Sequence, residues 1–141
     1  MDRKVVGALA MALVAALALA SCGSGSLSRA DLVKQANAIC RHRAAQIASM
    51  QRRYANNFRG LVAAALPVAS KGLDELRKLK PPSSLKTRYE QFLALERAQL
   101  DQVRAALVAQ KTGRRPRTAE PPAQIHRRGD VTRELGLTAC I

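Results

Sequence analysis

Aromatic residues are nearly absent from this sequence: its 141 positions hold no Trp, two Tyr and two Phe. Pleated sheets draw on aromatic and β-branched side chains, so an all-β architecture is not expected and the core must come from Leu, Val, Ile and Ala. Histidine is as scarce. His42 and His126 stand on separate segments without HxxxH or HExxH spacing, so no metal centre is expected. His42, flanked by Arg41 and Arg43, reads as part of a solvated face. Ser49, Ser70 and the Ser83-Ser84 pair lack a GxSxG elbow and an evident base, which removes the usual nucleophilic arrangements. The adjacent acids Asp74 and Glu75 would point about 100 degrees apart on a helix. Arg77 and Lys78 lie close enough to pair with them. There is no Gly-rich phosphate loop and no internal repeat. The expectation is a protein that is not an enzyme and needs no cofactor. Its length suits one modest domain and excludes a large multidomain enzyme.

What is present begins with residues 1–22, MDRKVVGALAMALVAALALASC. Arg3 and Lys4 precede an unbroken apolar run from Val5 to Ala20, the order found in secretory signals. A spanning helix needs about 20 apolar residues and basic anchors, and this run is shorter and ends in small side chains. Leu19-Ala20-Ser21-Cys22 resembles the bacterial lipobox at all four positions, which makes Cys22 the expected lipid attachment site. An ordinary secretory signal and an uncleaved membrane helix are the alternatives. With two or more acyl chains, each buried methylene contributing about 0.8 kcal/mol, attachment needs no protein surface. The expected organisation is a signal peptide over 1–21, a lipidated flexible tether over 22–27 containing Gly23-Ser24-Gly25-Ser26, and a helical domain over 28–141.

Within that domain the apolar spacing is helical. Ser28 and Asp31 form a variant of the capping box, after which Leu32, Ala36, Ile39, Cys40, Ala44, Ile47, Met50, Tyr54 and Phe58 recur every three or four residues. The spacing predicts one long helix ending near Gly60. A second stripe runs from Val62 to Leu79, kinked or restarted at Pro67 and stopped by Pro81-Pro82. The third, capped by Ser83 or Ser84, carries Leu85, Tyr89, Phe92, Leu93, Leu100, Val103 and Leu107 and frays at Gly113. Residues 112–122 read as a mobile loop. Ala123 to Leu135 forms a weaker helix interrupted at Gly129, with Gly136 placed as a left-handed cap. The fold class expected is all-α: an antiparallel bundle of three long helices with a short fourth across it.

With Cys22 assigned to lipid, Cys40 and Cys140 remain in an oxidising compartment, which points to one disulfide closing nearly the whole domain. Two reduced thiols, or a redox pair despite the missing Cys-x-x-Cys, are the other possibilities. The segments ADLVKQANAICRHR (30–43), Pro81-Pro82 and RELGLTACI (133–141), together with the lipobox, resemble a group of small actinobacterial lipoproteins of uncharacterised function. That group shares a cysteine in the first mature helix, a Pro-Pro break and a terminal Gly-Leu-x-x-Cys, and usually ends in Gly where Ile141 stands here. The resemblance implies an envelope location and the same Cys40–Cys140 pairing, and implies no activity.

The remaining feature is charge. Lys and Arg number 24 against 10 acidic residues, with 17 Arg to 7 Lys, while 48% hydrophobic residues is too apolar for a solvated basic tail. Arg52, Arg53, Arg77, Lys78, Lys80, Arg114, Arg115, Arg117, Arg127 and Arg128 are the candidates for binding an anionic surface; codon bias in a GC-rich genome is the plain alternative. Export, few aromatics and no groove-reading motif argue against nucleic acid. The expected function is a lipid-anchored, extracytoplasmic interaction or scaffold module facing anionic lipid, wall polymer or a protein partner. The alternative is a carrier of a small apolar molecule or lipid, suggested by the Ala-rich seams.

Overall fold

A computed structural model describes residues 25–113 and 122–141. Cys22 and the rest of residues 1–24, and residues 114–121 of the expected loop, with Arg114, Arg115 and Arg117, lie outside them. Four helices form: α1 (Arg29–Gln51), α2 (Phe58–Lys78), α3 (Lys86–Lys111) and α4 (Pro122–Leu135), with 3-10 turns at Ser83–Leu85 and Thr138–Cys140. No strand occurs among the described residues, and none of their helices is long and apolar enough to cross a membrane.

Capping explains most boundaries. The Ser28 hydroxyl accepts the Asp31 amide at 3.1 Å and donates to the Asp31 carboxylate at 2.6 Å, which starts α1 where the sequence places it. The first helix does not reach Gly60. It stops at Gln51, the chain turns, and Asn57 caps α2 by accepting the Gly60 amide at 2.8 Å. A Cβ on Gly60 would meet the Asn57 side chain at 2.6 Å and the Tyr54 ring at 2.9 Å, so any larger residue here has to push the capping side chain aside. Tyr54 and Phe58 therefore leave the α1 stripe, and Phe58 is 77% exposed.

Pro67 neither breaks nor restarts α2. The carbonyl it leaves without a donor belongs to Ala63, an exposed position where water can supply the bond. No Ser side chain caps α3; the 3-10 turn at Ser83–Leu85 leads into it instead. Gly129 does not interrupt α4. Gly136 adopts φ +78°, and the bonds Gly136 N–H to Arg133 O and Leu137 N–H to Thr132 O, both 2.9 Å, close a Schellman motif.

The fully buried core occupies one half of the bundle. Leu32, Ala36 and Cys40 of α1 meet Leu76 of α2, Tyr89 and Phe92 of α3, Val131 and Leu135 of α4, and the tail residues Leu137 and Cys140. The Tyr89 hydroxyl donates to the Leu76 carbonyl at 2.8 Å, which satisfies the polar end of a buried ring. Cys40 and Cys140 are disulfide-bonded across a sequence separation of 100. One turn before Cys40, Asn37 grips the same tail: its amide donates to Gly136 O at 3.0 Å and accepts from Ala139 N–H at 2.9 Å. The tail is thus held covalently and by both ends of one side-chain amide.

Candidate functional site

The other half of the bundle is open. α2 packs against both α1 and α3. α4 lies along α3 from the Gln102–Gln124 hydrogen bond, 3.3 Å, to the Arg88–Glu134 ion pair at the disulfide end. α4 has 14 residues where α3 has 26, so the stretch of α3 beyond Gln102 has no fourth helix beside it among the described residues. Between α1, α2 and α3 lies an apolar cavity of about 340 Å³. Ile47, Leu61, Val62, Leu66, Leu100 and Val103 form its walls, and the small side chains Ala65 and Ala69 of α2 give it depth. A second cavity of about 180 Å³ shares Val62 and Val103 and continues the groove to Phe58 and Leu107.

Arg43 and Glu96 close its inner end. Arg43 Nη1 lies 2.8 Å from Glu96 Oε2, with side-chain exposures of 17% and 5%. This pair links α1 to α3 directly and borders the cavity. Gln99 stands beside it and accepts a hydrogen bond from Arg128 of α4. On the neighbouring α3 surface, Arg104 donates to Ser70 of α2 at 2.7 Å, and Asp101 lies between Arg97 and Arg104. The hydrogen bond from Arg97, with help from Arg104, holds the Asp101 carboxyl below the usual carboxylate range.

The sequence singled out neither Arg43 nor Glu96, yet a signal exists. Arg43 falls between Cys40 and Ile47, and Glu96 between Phe92 and Leu100, so each charge occupies an apolar-stripe position and needs a partner when buried.

Of the basic residues expected to bind an anionic surface, those that are described are not all brought together. Arg52 and Arg53 occupy the turn after α1; Arg77, Lys78 and Lys80 lie at the opposite end of the bundle; Arg127 and Arg128 lie on α4. Arg77 also sits 3.6 Å from Asp74, as its spacing predicted. His42 is exposed on α1, and no cluster of three His, Cys or carboxylate groups suited to a metal occurs among the described residues.

No known protein family, curated protein or solved structure matches the chain.

Proposed function

We propose that the chain is an extracytoplasmic lipoprotein, anchored through Cys22, whose bundle binds a small apolar molecule with one polar end in the groove between α1, α2 and α3. The observation that carries the reading is the 340 Å³ apolar cavity ending on the Arg43–Glu96 pair. Its volume lies at the lower end of the range for small-molecule sites, roughly 300–1,000 Å³, and the combination of apolar walls with a few convergent polar groups is typical of them. The apolar part of the ligand lies against Ile47, Leu66 and Leu100, and its polar end meets the charges at the inner end. Residues 114–121, RRPRTAEP, carry no large apolar side chain with which to fill such a space. Because Arg43 and Glu96 compensate one another, the role proposed is binding and not catalysis. The placing of Arg52 and Arg53 at one end of the bundle and of Arg77, Lys78 and Lys80 at the other supports this reading above that of a scaffold with one basic face. The anchor and the resemblance to small actinobacterial lipoproteins rest on the sequence features at Cys22, Cys40, Pro81-Pro82 and Cys140.

Fluorescent long-chain fatty acid provides the test. Titrated into the folded protein, the probe saturates a single site, and Ala69→Phe, which fills the cavity from α2, weakens it at least about tenfold, the equivalent of about 1.4 kcal/mol. Circular dichroism checks that the variant stays helical. Binding that is absent in the parent, or unchanged by Ala69→Phe, overturns the assignment.

A further inference from the structure

The charges at the inner end of the groove already compensate one another. Arg43 and Glu96 both line the cavity and meet at 2.8 Å, with the Glu96 side chain 5% exposed. Arg43 reaches that position along α2 where Gly72 presents no side chain: a Cβ there would meet Arg43 Cδ at 3.0 Å. Packing of its stem therefore fixes Arg43 as well as its charge does. Hydrogen-bonding capacity nevertheless remains. Glu96 accepts at Oε2 and has no partner at Oε1, while Arg43 donates from Nη1 alone among the described residues. Gln99 accepts from Arg128 through Oε1, which leaves its Nε2 as a donor. No fully buried side-chain nitrogen or oxygen among the described residues lacks a partner, so these unused groups are accessible from the cavity that all three residues line. Arg128 itself is not part of that lining.

We infer that the molecule held in the groove carries an uncharged head that both donates and accepts, the chemistry of a long-chain alcohol, and that the Arg43–Glu96 pair selects it against fatty acids and amines. The inference rests on the reading of the groove as a ligand site. A hydroxyl donates to Glu96 Oε1 and accepts from Arg43 or Gln99, so the unused groups gain a partner. A carboxylate brings a second negative charge beside Glu96, and an ammonium a second positive charge beside Arg43. Either leaves one charge without compensation between apolar walls, where that is costly. Selection here comes from what the site rejects as much as from what it bonds. A fatty acid still enters by its chain, and binds more weakly than the alcohol of equal length. The second cavity, which shares Val62 and Val103 with the first, takes the tail towards Phe58 and Leu107.

Calorimetric titration of the same protein at neutral pH with decanol, decanoate, decylammonium and decyl methyl ether tests this. Decanol is expected to bind at least about tenfold more tightly than either ion, since like charges brought together inside a site are strongly disfavoured. It should also bind more tightly than the ether, which is more apolar and accepts but cannot donate. Glu96→Gln should narrow the gap for decanoate only, and Arg43→Gln the gap for decylammonium only. Circular dichroism checks both variants, and if one loses helix the parent's ranking with the ether still decides. An ion bound as tightly as decanol, or an ether bound more tightly, overturns the inference while leaving the groove a ligand site. Gaps that neither variant changes overturn recognition by the pair, because the ranking then follows apolarity alone. No binding of any of the four ligands overturns the reading of the groove itself.

Discussion

Arg43 and Glu96 meet at 2.8 Å across α1 and α3, at positions the apolar spacing of both helices would reserve for hydrophobic side chains. Removing one partner strands the other in a largely apolar setting. Glu96→Ala is expected to destabilise the bundle by about 3 kcal/mol, whereas Arg43→Leu combined with Glu96→Leu should return to within about 1 kcal/mol of the parent. Urea midpoints of the two single variants and the double variant measure this. A double variant as unstable as the sum of the singles would show that the two charges act independently.

Asn37 and Cys40 hold one tail from one helix, so their contributions should couple. In loop-entropy terms the disulfide, closing a ring of about 100 residues, stabilises by up to about 4.7 kcal/mol. Asn37→Ala removes two hydrogen bonds and should cost about 2 kcal/mol in the oxidised protein. In the Cys40→Ser, Cys140→Ser background the same substitution should cost visibly less, because a freer tail loses less when its grip goes. Denaturation of the four species, with hydrogen exchange at the Ala139 amide, measures the coupling. Strict additivity would mean that Asn37 and the disulfide hold the tail independently.

Burial pushes the Tyr89 phenol well above its ordinary value. The folded state therefore favours the neutral form. The stability this contributes is fully present below about pH 10, where the unfolded phenol ionises, and is lost as pH rises from there towards the folded value. In a Tyr54→Phe background Tyr89 is the remaining tyrosine of the chain, so phenolate absorbance above pH 10 should appear together with loss of helix. Tyr89→Phe should flatten the alkaline slope while costing about 1 kcal/mol at neutral pH for the bond to Leu76. Phenolate forming well before the helices melt would contradict the burial.

Where local chemistry decided a feature, the sequence was readable. The Ser28–Asp31 cap, the Pro81-Pro82 stop, the left-handed Gly136 and the pairing of Cys40 with Cys140 each rest on a few neighbouring residues or on simple counting. The end of the first helix was not readable from spacing, because Tyr54 and Phe58 preserve the three-to-four rhythm through a turn. Asn57, a capping residue three positions before Gly60, is the mark of that turn. The groove was not legible at all as a shape. It lies between α1, α2 and α3, a relation between distant segments, although the alanines at 65 and 69 that deepen it fall within the seams that suggested spare room. Arg43 and Glu96 were legible only as charges standing out of place in two apolar stripes.

Leu137 and Cys140 complete the same core that Leu32 begins, and this sets a timetable for folding. As the chain emerges N-terminus first, α1 and α2 can coil, but Leu32, Ala36 and Cys40 have no complete partner surface until residue 140 has followed. Helices made early must wait with their apolar faces uncovered, exposed to proteases and to one another. A stop codon within α4 would then act well beyond its final turn, since it leaves the α1 and α3 faces at Leu32, Cys40, Tyr89 and Phe92 without the closing layer.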